Sequence, residues 1–192
     1  MKNIITILCF VIGTTLSAQI LPIEQMNEVT GKVSDQIDGI THVKDVNGVL
    51  DKFEGTWKAT FAGGEIEIVI KKYTRDHSIY VQRYHPEPLL WDELIGKYKF
   101  TKNGVVIENT IDLPDDSLEF LTKHRFYSET TYTFSYLGVN HACGDNGILF
   151  LWYQNSTTIH LGYLLIGETS PDCTSQAERT LPIDTTLVLT KQ

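Results

Sequence analysis

The sequence predicts an all-β protein: an antiparallel up-and-down meander barrel of about 8–10 strands, with a short N-terminal helix or turn before strand one. From Thr56 onward, apolar and polar residues alternate with period two, as in strands that bury one face. Turn dipeptides such as Asn103-Gly104 separate the alternating runs. No helical pattern is long enough for a parallel crossover connection. Closure into a barrel would remove the strand edges that such a meander otherwise exposes.

Residues 1–18 have the pattern of a cleavable signal peptide. Lys2 supplies a positive charge, an apolar run follows from Ile4 to Leu16, and Leu16-Ser17-Ala18 resembles a cleavage site. The apolar run is too short to cross a bilayer comfortably, although an N-terminal membrane anchor is the alternative. We therefore expect a protein that is secreted or periplasmic, begins at Gln19 and has no stable membrane span after cleavage.

The remaining chain divides into a leader and one barrel domain. Residues 19–41 are polar and weakly patterned, which predicts an extended or partly disordered leader, and residues 42–192 form the barrel domain. The segment from Asp45 to Phe53 is a candidate for the short helix or turn, because its apolar residues fall on one helical face. Gly55 then ends it.

Ten segments of the barrel domain read as strands because each alternates in polarity or is β-branched and aromatic. They cover residues 56–62, 65–72, 78–84, 94–101, 105–111, 118–127, 130–137, 148–154, 158–166 and 185–190. Pro86 and Pro88 exclude residues 85–88 from a central strand, since proline lacks the N–H that the hydrogen-bond ladder of a sheet needs.

The charge balance argues against polyanionic partners. The chain carries 24 acidic and 16 basic residues, has a net charge of −8, and contains no basic cluster. Such a chain is a poor binder of nucleic acid or of anionic membrane surfaces. We therefore expect no nucleic-acid partner.

Two of the three cysteines remain after removal of the signal peptide. Cys143 and Cys173 form an even pair in a chain bound for an oxidising compartment, which favours a disulfide. In the entropic model such a bridge would stabilise the fold by about 3–4 kcal/mol. The alternative is a metal site with His141, but two cysteines and one histidine do not match a structural zinc pattern.

Aromatic residues on two late strands are candidates for a ligand-binding wall. Tyr132, Phe134 and Tyr136 alternate on one strand, and Phe150 and Trp152 alternate on another. Barrels of about eight strands either fill their interior with side chains or hold one small ligand, so core packing is the alternative. Tyrosine hydroxyls on such a wall would orient a ligand with one polar group.

Residues Phe53-Glu54-Gly55-Thr56-Trp57-Lys58 resemble the opening of the calycin barrels, the lipocalins and fatty-acid-binding proteins. The resemblance implies that Gly55 and Trp57 begin strand one and that Phe53 and the indole of Trp57 close one end of the barrel. It also implies a basic residue late in the chain that packs across the indole. Lys191 is the only basic residue after Arg179, at a place where those families carry an arginine.

A broader likeness extends over most of the chain from about residue 41. Residues 43–47, 50–58, 93–98 and 109–110 resemble a family of secreted bacterial domains of unknown function. That likeness implies a lipocalin-like barrel and brings no activity with it.

Catalytic and cofactor signatures are missing from the sequence. The six histidines are dispersed, and none is spaced for metal binding; His124 and His160 could converge only across the barrel. Asp145-Asn146-Gly147, which leads into the strand from Ile148, lacks the spaced ligands and the terminal glutamate of a calcium loop. No serine lies in a nucleophile elbow, and no glycine-rich phosphate loop is present. We predict no cofactor, no metal and no enzymatic activity.

These observations favour a secreted, non-enzymatic barrel that binds a small apolar or amphipathic molecule. The alternative is a protein-interaction or structural module of the cell envelope with a filled barrel and a protein partner that the sequence does not identify. The leader favours the alternative, because a compact ligand carrier does not need it.

Overall fold

The computed structural model describes residues 19–25, 39–76, 89–115, 125–138, 144–167, 180–182 and 185–192. The described residues form eleven strands and two single turns of 3₁₀ helix, at Ile23–Gln25 and Asp51–Phe53. The strands are β1 (Gln19–Pro22), β2 (Ile40–Lys44), β3 (Gly55–Phe61), β4 (Gly64–Asp76), β5 (Leu90–Lys102), β6 (Val105–Asn109), β7 (Arg125–Ser128), β8 (Thr131–Leu137), β9 (Asn146–Asn155), β10 (Thr158–Leu165) and β11 (Leu187–Lys191). The prediction of an all-β protein is confirmed.

The strands form one curled sheet, shaped as a half-barrel, in the order β1-β2-β5-β4-β3-β11-β10-β9-β8-β7, with β6 paired to β5. All pairs from β3 onward are antiparallel, and β11 returns to pair with β3. The pairs β1–β2 and β2–β5 are parallel. The sheet is therefore mixed, and not the purely antiparallel meander that the sequence predicts. The parallel strands come from the N-terminal segment, which the period-two pattern does not cover.

Part of the segment that the sequence assigns to a leader belongs to this sheet. β1 lies beside β2, and Ile23 is 1 % exposed within the hydrophobic core. The backbone is extended at β1, in agreement with the polar, non-helical pattern. The suggested boundary between residues 41 and 42 falls inside β2.

The segment between β2 and β3 forms turns and one 3₁₀ turn, and not the α-helix that its apolar spacing allows. Asp45 explains this, because its carboxylate accepts hydrogen bonds from the backbone N–H groups of Val49 and Leu50. Gly48 lies at a φ of 66°, outside the right-handed helical region. These local bonds replace the ladder that a helix would need.

The hairpin of β4 and β5 supplies much of the core. Both strands are 13 residues long, and Ile66, Ile68 and Ile70 are each 1 % exposed on the inner face. On the outer face Glu67 lies between Lys58 of β3 and Lys99 of β5, which lowers its pKa through hydrogen bonding and charge. This is the alternation of a sheet with one solvated face, as the sequence predicts.

The turn predicted at Asn103-Gly104 is confirmed. Both residues have positive φ, 49° and 80°, and they join β5 to β6 as a two-residue hairpin loop. The predicted strand over residues 78–84 lies outside the described residues.

Candidate functional site

The motif that opens β3 is buried in the core. Trp57 is fully buried, and its indole N–H donates a 2.8 Å hydrogen bond to the carbonyl oxygen of Phe53, which is also fully buried. The Nζ atom of Lys191 lies 5.1 Å from the centroid of the indole. The late basic residue thus packs across the tryptophan, with a lysine supplying the cation.

Gly55 makes this packing feasible. Its φ of 133° is a conformation that residues with a Cβ rarely adopt, and a Cβ there would lie 2.5 Å from the Cε atom of Lys191. The lysine stem therefore occupies the space that a side chain at position 55 would need. In the Gly-Thr-Trp motif, the glycine therefore leaves room for the lysine side chain, and the tryptophan ring contacts its ammonium group.

Replacing Gly55 with alanine is expected to lower the free energy of unfolding by about 2–3 kcal/mol, mainly because a φ of 133° is strained for a residue with a Cβ, and to a smaller extent because the mobile end of Lys191 must move aside. Gly104 is the matched control: its φ of 80° is also positive, but a Cβ there would meet no atom within 4 Å. Gly104→Ala should therefore cost only about 1 kcal/mol of strain. Urea unfolding of both variants measures the difference, and equal losses would contradict the combined cost assigned to the φ of 133° and to the contact with Lys191.

The five aromatic residues predicted to form a ligand wall lie on opposite faces of the sheet. Tyr132, Phe134 and Tyr136 of β8 point into the core and are 1 %, 1 % and 3 % exposed. Phe150 and Trp152 of β9 lie on the outer face, where their rings stack at a centroid distance of 5.7 Å. The structure therefore does not bring the five residues together in one wall.

The outer pair lines an open groove of about 290 Å³. Gly162 of β10 lies beneath the ring of Trp152, and the rest of the groove is lined by Tyr163, Leu164, Thr185 and Thr186. The groove is shallow and faces away from the core. Phe150 and Trp152 are therefore placed to form a surface contact and not the lining of an interior cavity.

The inner residues differ in how their hydroxyls are used. The hydroxyl of Tyr132 accepts a 2.9 Å hydrogen bond from the N–H of Leu94, and its ring contacts that of Phe53 beside the Gly-Thr-Trp motif. Tyr136 lies four residues further along β8, about 13 Å away at the rise of an extended strand. Its ring contacts Tyr98 of β5, with the centroids 5.9 Å apart.

Tyr98 and Tyr136 carry buried hydroxyls that make no hydrogen bond of good geometry within the described part of the chain, although Glu108 approaches the hydroxyl of Tyr98 and Thr180 approaches that of Tyr136. Each residue is only 3 % exposed. Burial raises the pKa of both phenols far above the usual value, and the nearby carboxylates of Glu108 and Asp145 add to the shift electrostatically. Both side chains therefore remain neutral and can each donate one hydrogen bond.

Asp145 completes a polar cluster around these phenols. Its side chain is 1 % exposed and accepts hydrogen bonds from the N–H and the hydroxyl of Thr180, at 3.2 and 2.8 Å. The hydroxyl of Tyr163 lies 3.4 Å from its other oxygen, and the Tyr163 ring meets Tyr136 edge-on at 5.4 Å. Tyr163 is only partly buried, so the cluster approaches the surface there.

The sequence pattern alone does not indicate this cluster. Asp145 lies in an Asp-Asn-Gly stretch that leads into a strand, and Tyr98 is an alternating residue of another strand. The signal that was available is the pair of tyrosines at inward positions, Tyr98 on β5 and Tyr136 on β8. Nothing in the sequence indicates that these two strands face each other.

The remaining candidates do not assemble into a site. Among the histidines that the structure describes, the Nε2 atom of His42 lies 2.9 Å from Asp92, while His124, Cys143 and Cys173 lie outside the described residues. No trio of His, Cys, Asp and Glu side chains within the described ranges is arranged to hold a metal ion. In the same stretches of chain, no helix has the length and apolar character needed to cross a bilayer.

Comparison with known proteins gives one match. The model of a family described as "Family of unknown function (DUF6705)" matches residues 1–162. No curated protein and no solved structure matches the chain significantly. The family match covers more than half of the chain, so the protein belongs to the family of unknown function DUF6705.

Proposed function

We propose that the protein is an exported, non-enzymatic binding domain, a lipocalin-like barrel that holds one small amphipathic molecule. The polar group of the ligand lies against the hydroxyls of Tyr98 and Tyr136, and its apolar part lies against the rings of Tyr136 and Tyr163. The observation that carries this proposal is the pair of buried hydroxyls that make no hydrogen bond of good geometry to the described residues.

Buried hydroxyls that make no hydrogen bond lower the stability of a folded protein. Leaving a buried donor or acceptor unsatisfied costs about 1–3 kcal/mol, so native cores rarely contain two such groups side by side. Two adjacent unsatisfied phenols are a reason to expect an occupant with a polar atom. The rings around them offer the apolar contact that an amphipathic ligand also needs.

Two further features support the lipocalin-like architecture. Lys191 packs across Trp57, in the manner that the resemblance to calycin barrels implies. The pairing of β11 with β3 joins the last strand to the strand that carries the Gly-Thr-Trp motif. The path of paired strands ends at β1 and at β7, and β6 is a further edge strand beside β5, so the described ring is open between β7 and these edges. We propose that the barrel closes there.

The proposal predicts opposite behaviour for paired and unpaired tyrosine hydroxyls. Tyr98→Phe and Tyr136→Phe should leave the stability of the ligand-free protein unchanged or slightly higher, because each removes an unsatisfied group. Both should weaken retention of the ligand. Tyr132→Phe is the matched control, and should lower the free energy of unfolding by about 1–2 kcal/mol while retaining the ligand, since it only removes the bond from Leu94.

Native mass spectrometry of protein isolated from its own cells, with 1-decanol as an added probe, measures retention; urea unfolding measures stability. If Tyr98→Phe and Tyr136→Phe both destabilise the ligand-free protein and retain the ligand, the hydroxyls belong to a structural network with fixed water, and the proposal is wrong.

The alternative, an interaction module of the cell envelope, is favoured by the outer groove. Leu164 and Val188 are 52 % and 54 % exposed on the same side of the sheet as Trp152. A Trp152→Ser variant in the same mass-spectrometry experiment separates the two functions. If the Trp152→Ser variant loses the bound ligand and the two phenylalanine variants retain it, the binding site is the outer groove and not the polar cluster.

A further inference from the structure

The central carboxylate of the polar cluster, Asp145, has no cationic partner among the residues that the structure describes. Asp145 makes hydrogen bonds only to Thr180 and Tyr163, which are neutral. No Lys, Arg or His among the described residues lies within ion-pairing distance of its carboxylate. Glu108 brings a second carboxylate close enough to both phenols to affect their pKa. A buried carboxylate is usually paired, so the cluster favours an incoming positive charge.

The rings of the cluster also suit a cation. Three tyrosines, Tyr98, Tyr136 and Tyr163, meet in sequence at centroid distances of 5.9 and 5.4 Å. Their π faces attract ammonium groups, and the attraction grows when the cation is desolvated. Each neutral phenol oxygen can also accept a hydrogen bond from an N–H group.

We propose that the polar group recognised at Tyr98, Tyr136 and Asp145 is a protonated amine, so that the ligand is a cationic amphiphile with an alkyl or aromatic body. This inference rests on the proposed function, because it names the ligand class of the same site. An ammonium group supplies three donors, which match the carboxylate of Asp145 and the two phenol oxygens. A carboxylate ligand would meet Asp145 as a like charge, and no described Lys, Arg or His lies beside Asp145 to offset the repulsion.

A series of ligands that differ only in the head group tests the proposal. Decylamine, 1-decanol and decanoate share one alkyl chain, and isothermal titration calorimetry at neutral pH, below the concentrations at which they aggregate, gives their dissociation constants. We expect decylamine to bind at least tenfold more tightly than 1-decanol, and decanoate to bind most weakly. The preference for the amine should disappear above the pKa of the amine.

Asp145→Asn keeps an acceptor for Thr180 and removes the charge. It should weaken decylamine at least tenfold and change 1-decanol less than threefold. Asp92→Asn is the matched control, because Asp92 is a half-buried carboxylate of the same sheet that bonds His42 and Thr74, outside the cluster. It should leave the selectivity unchanged. If Asp145→Asn fails to fold, the order of the three dissociation constants measured on the unaltered protein still tests the preference for an amine.

The outcomes separate the two proposals. Binding of decanoate as tightly as decylamine, or an Asp145→Asn variant with unchanged selectivity, overturns the amine and leaves the binding function standing. If no ligand of the series binds the unaltered protein, both proposals are wrong.

Discussion

Replacing Trp57 with alanine is expected to lower the free energy of unfolding by about 3–5 kcal/mol, which is a large part of the stability of a typical single domain. The indole is fully buried, so its removal leaves a large cavity between β3 and Phe53. It also removes the hydrogen bond to the carbonyl oxygen of Phe53 and the surface on which Lys191 lies. Three losses therefore coincide at one residue.

Two variants separate these contributions in urea unfolding. Trp57→Phe keeps much of the aromatic volume and loses the N–H donor, so a smaller loss of about 1–3 kcal/mol is expected. Trp152→Ala is the matched control, since this tryptophan is half-buried on the outer face and loses mainly its stacking on Phe150, worth about 0.5–1.5 kcal/mol. A loss below about 1 kcal/mol in Trp57→Ala would show that the indole contributes little to the core.

The fold class could be predicted because period-two patterning is local. Ile66, Ile68 and Ile70 alternate with charged residues, and the structure places all three inside. The inward face of β9 could not be predicted in this way, because residues 148–154 are almost uniformly apolar. The register with β8 and β10 decides it, placing Leu149 and Leu151 inward and Phe150 and Trp152 outward.

The candidate site could not be predicted from the sequence for a different reason. Tyr98 and Tyr136 meet because the sheet curls until β5 and β8 face each other across the core, a contact between strands that do not pair. Asp145 lies in an Asp-Asn-Gly stretch, which is common at the start of a strand, so its sequence context gives no sign of its buried contacts. Local patterns predict which residues point inward, whereas the curvature of the whole sheet determines which of them meet.

Replacing Asp45 with alanine is the second substitution expected to have a large effect, with a loss of about 2–4 kcal/mol in the free energy of unfolding. The Asp45 side chain is 1 % exposed and accepts hydrogen bonds from Val49 and Leu50, at 2.7 and 3.2 Å. Its removal leaves two backbone N–H groups without an acceptor in the turn that carries Leu50 into the core. Lys72 also loses one of its two carboxylate partners.

Asp51 provides the matched control, because it pairs with the same Lys72, its side chain is 59 % exposed, and its carboxylate accepts no backbone hydrogen bond within the described residues. Asp51→Ala should change the stability by less than about 1 kcal/mol, as expected for an exposed ion pair. Asp45→Asn retains one acceptor oxygen for the turn and should fall between the two. Chemical unfolding of the three variants measures the order. Equal losses in Asp45→Ala and Asp51→Ala would mean that the shared ion pair with Lys72, and not the capture of the turn amides, holds the segment between β2 and β3 in place.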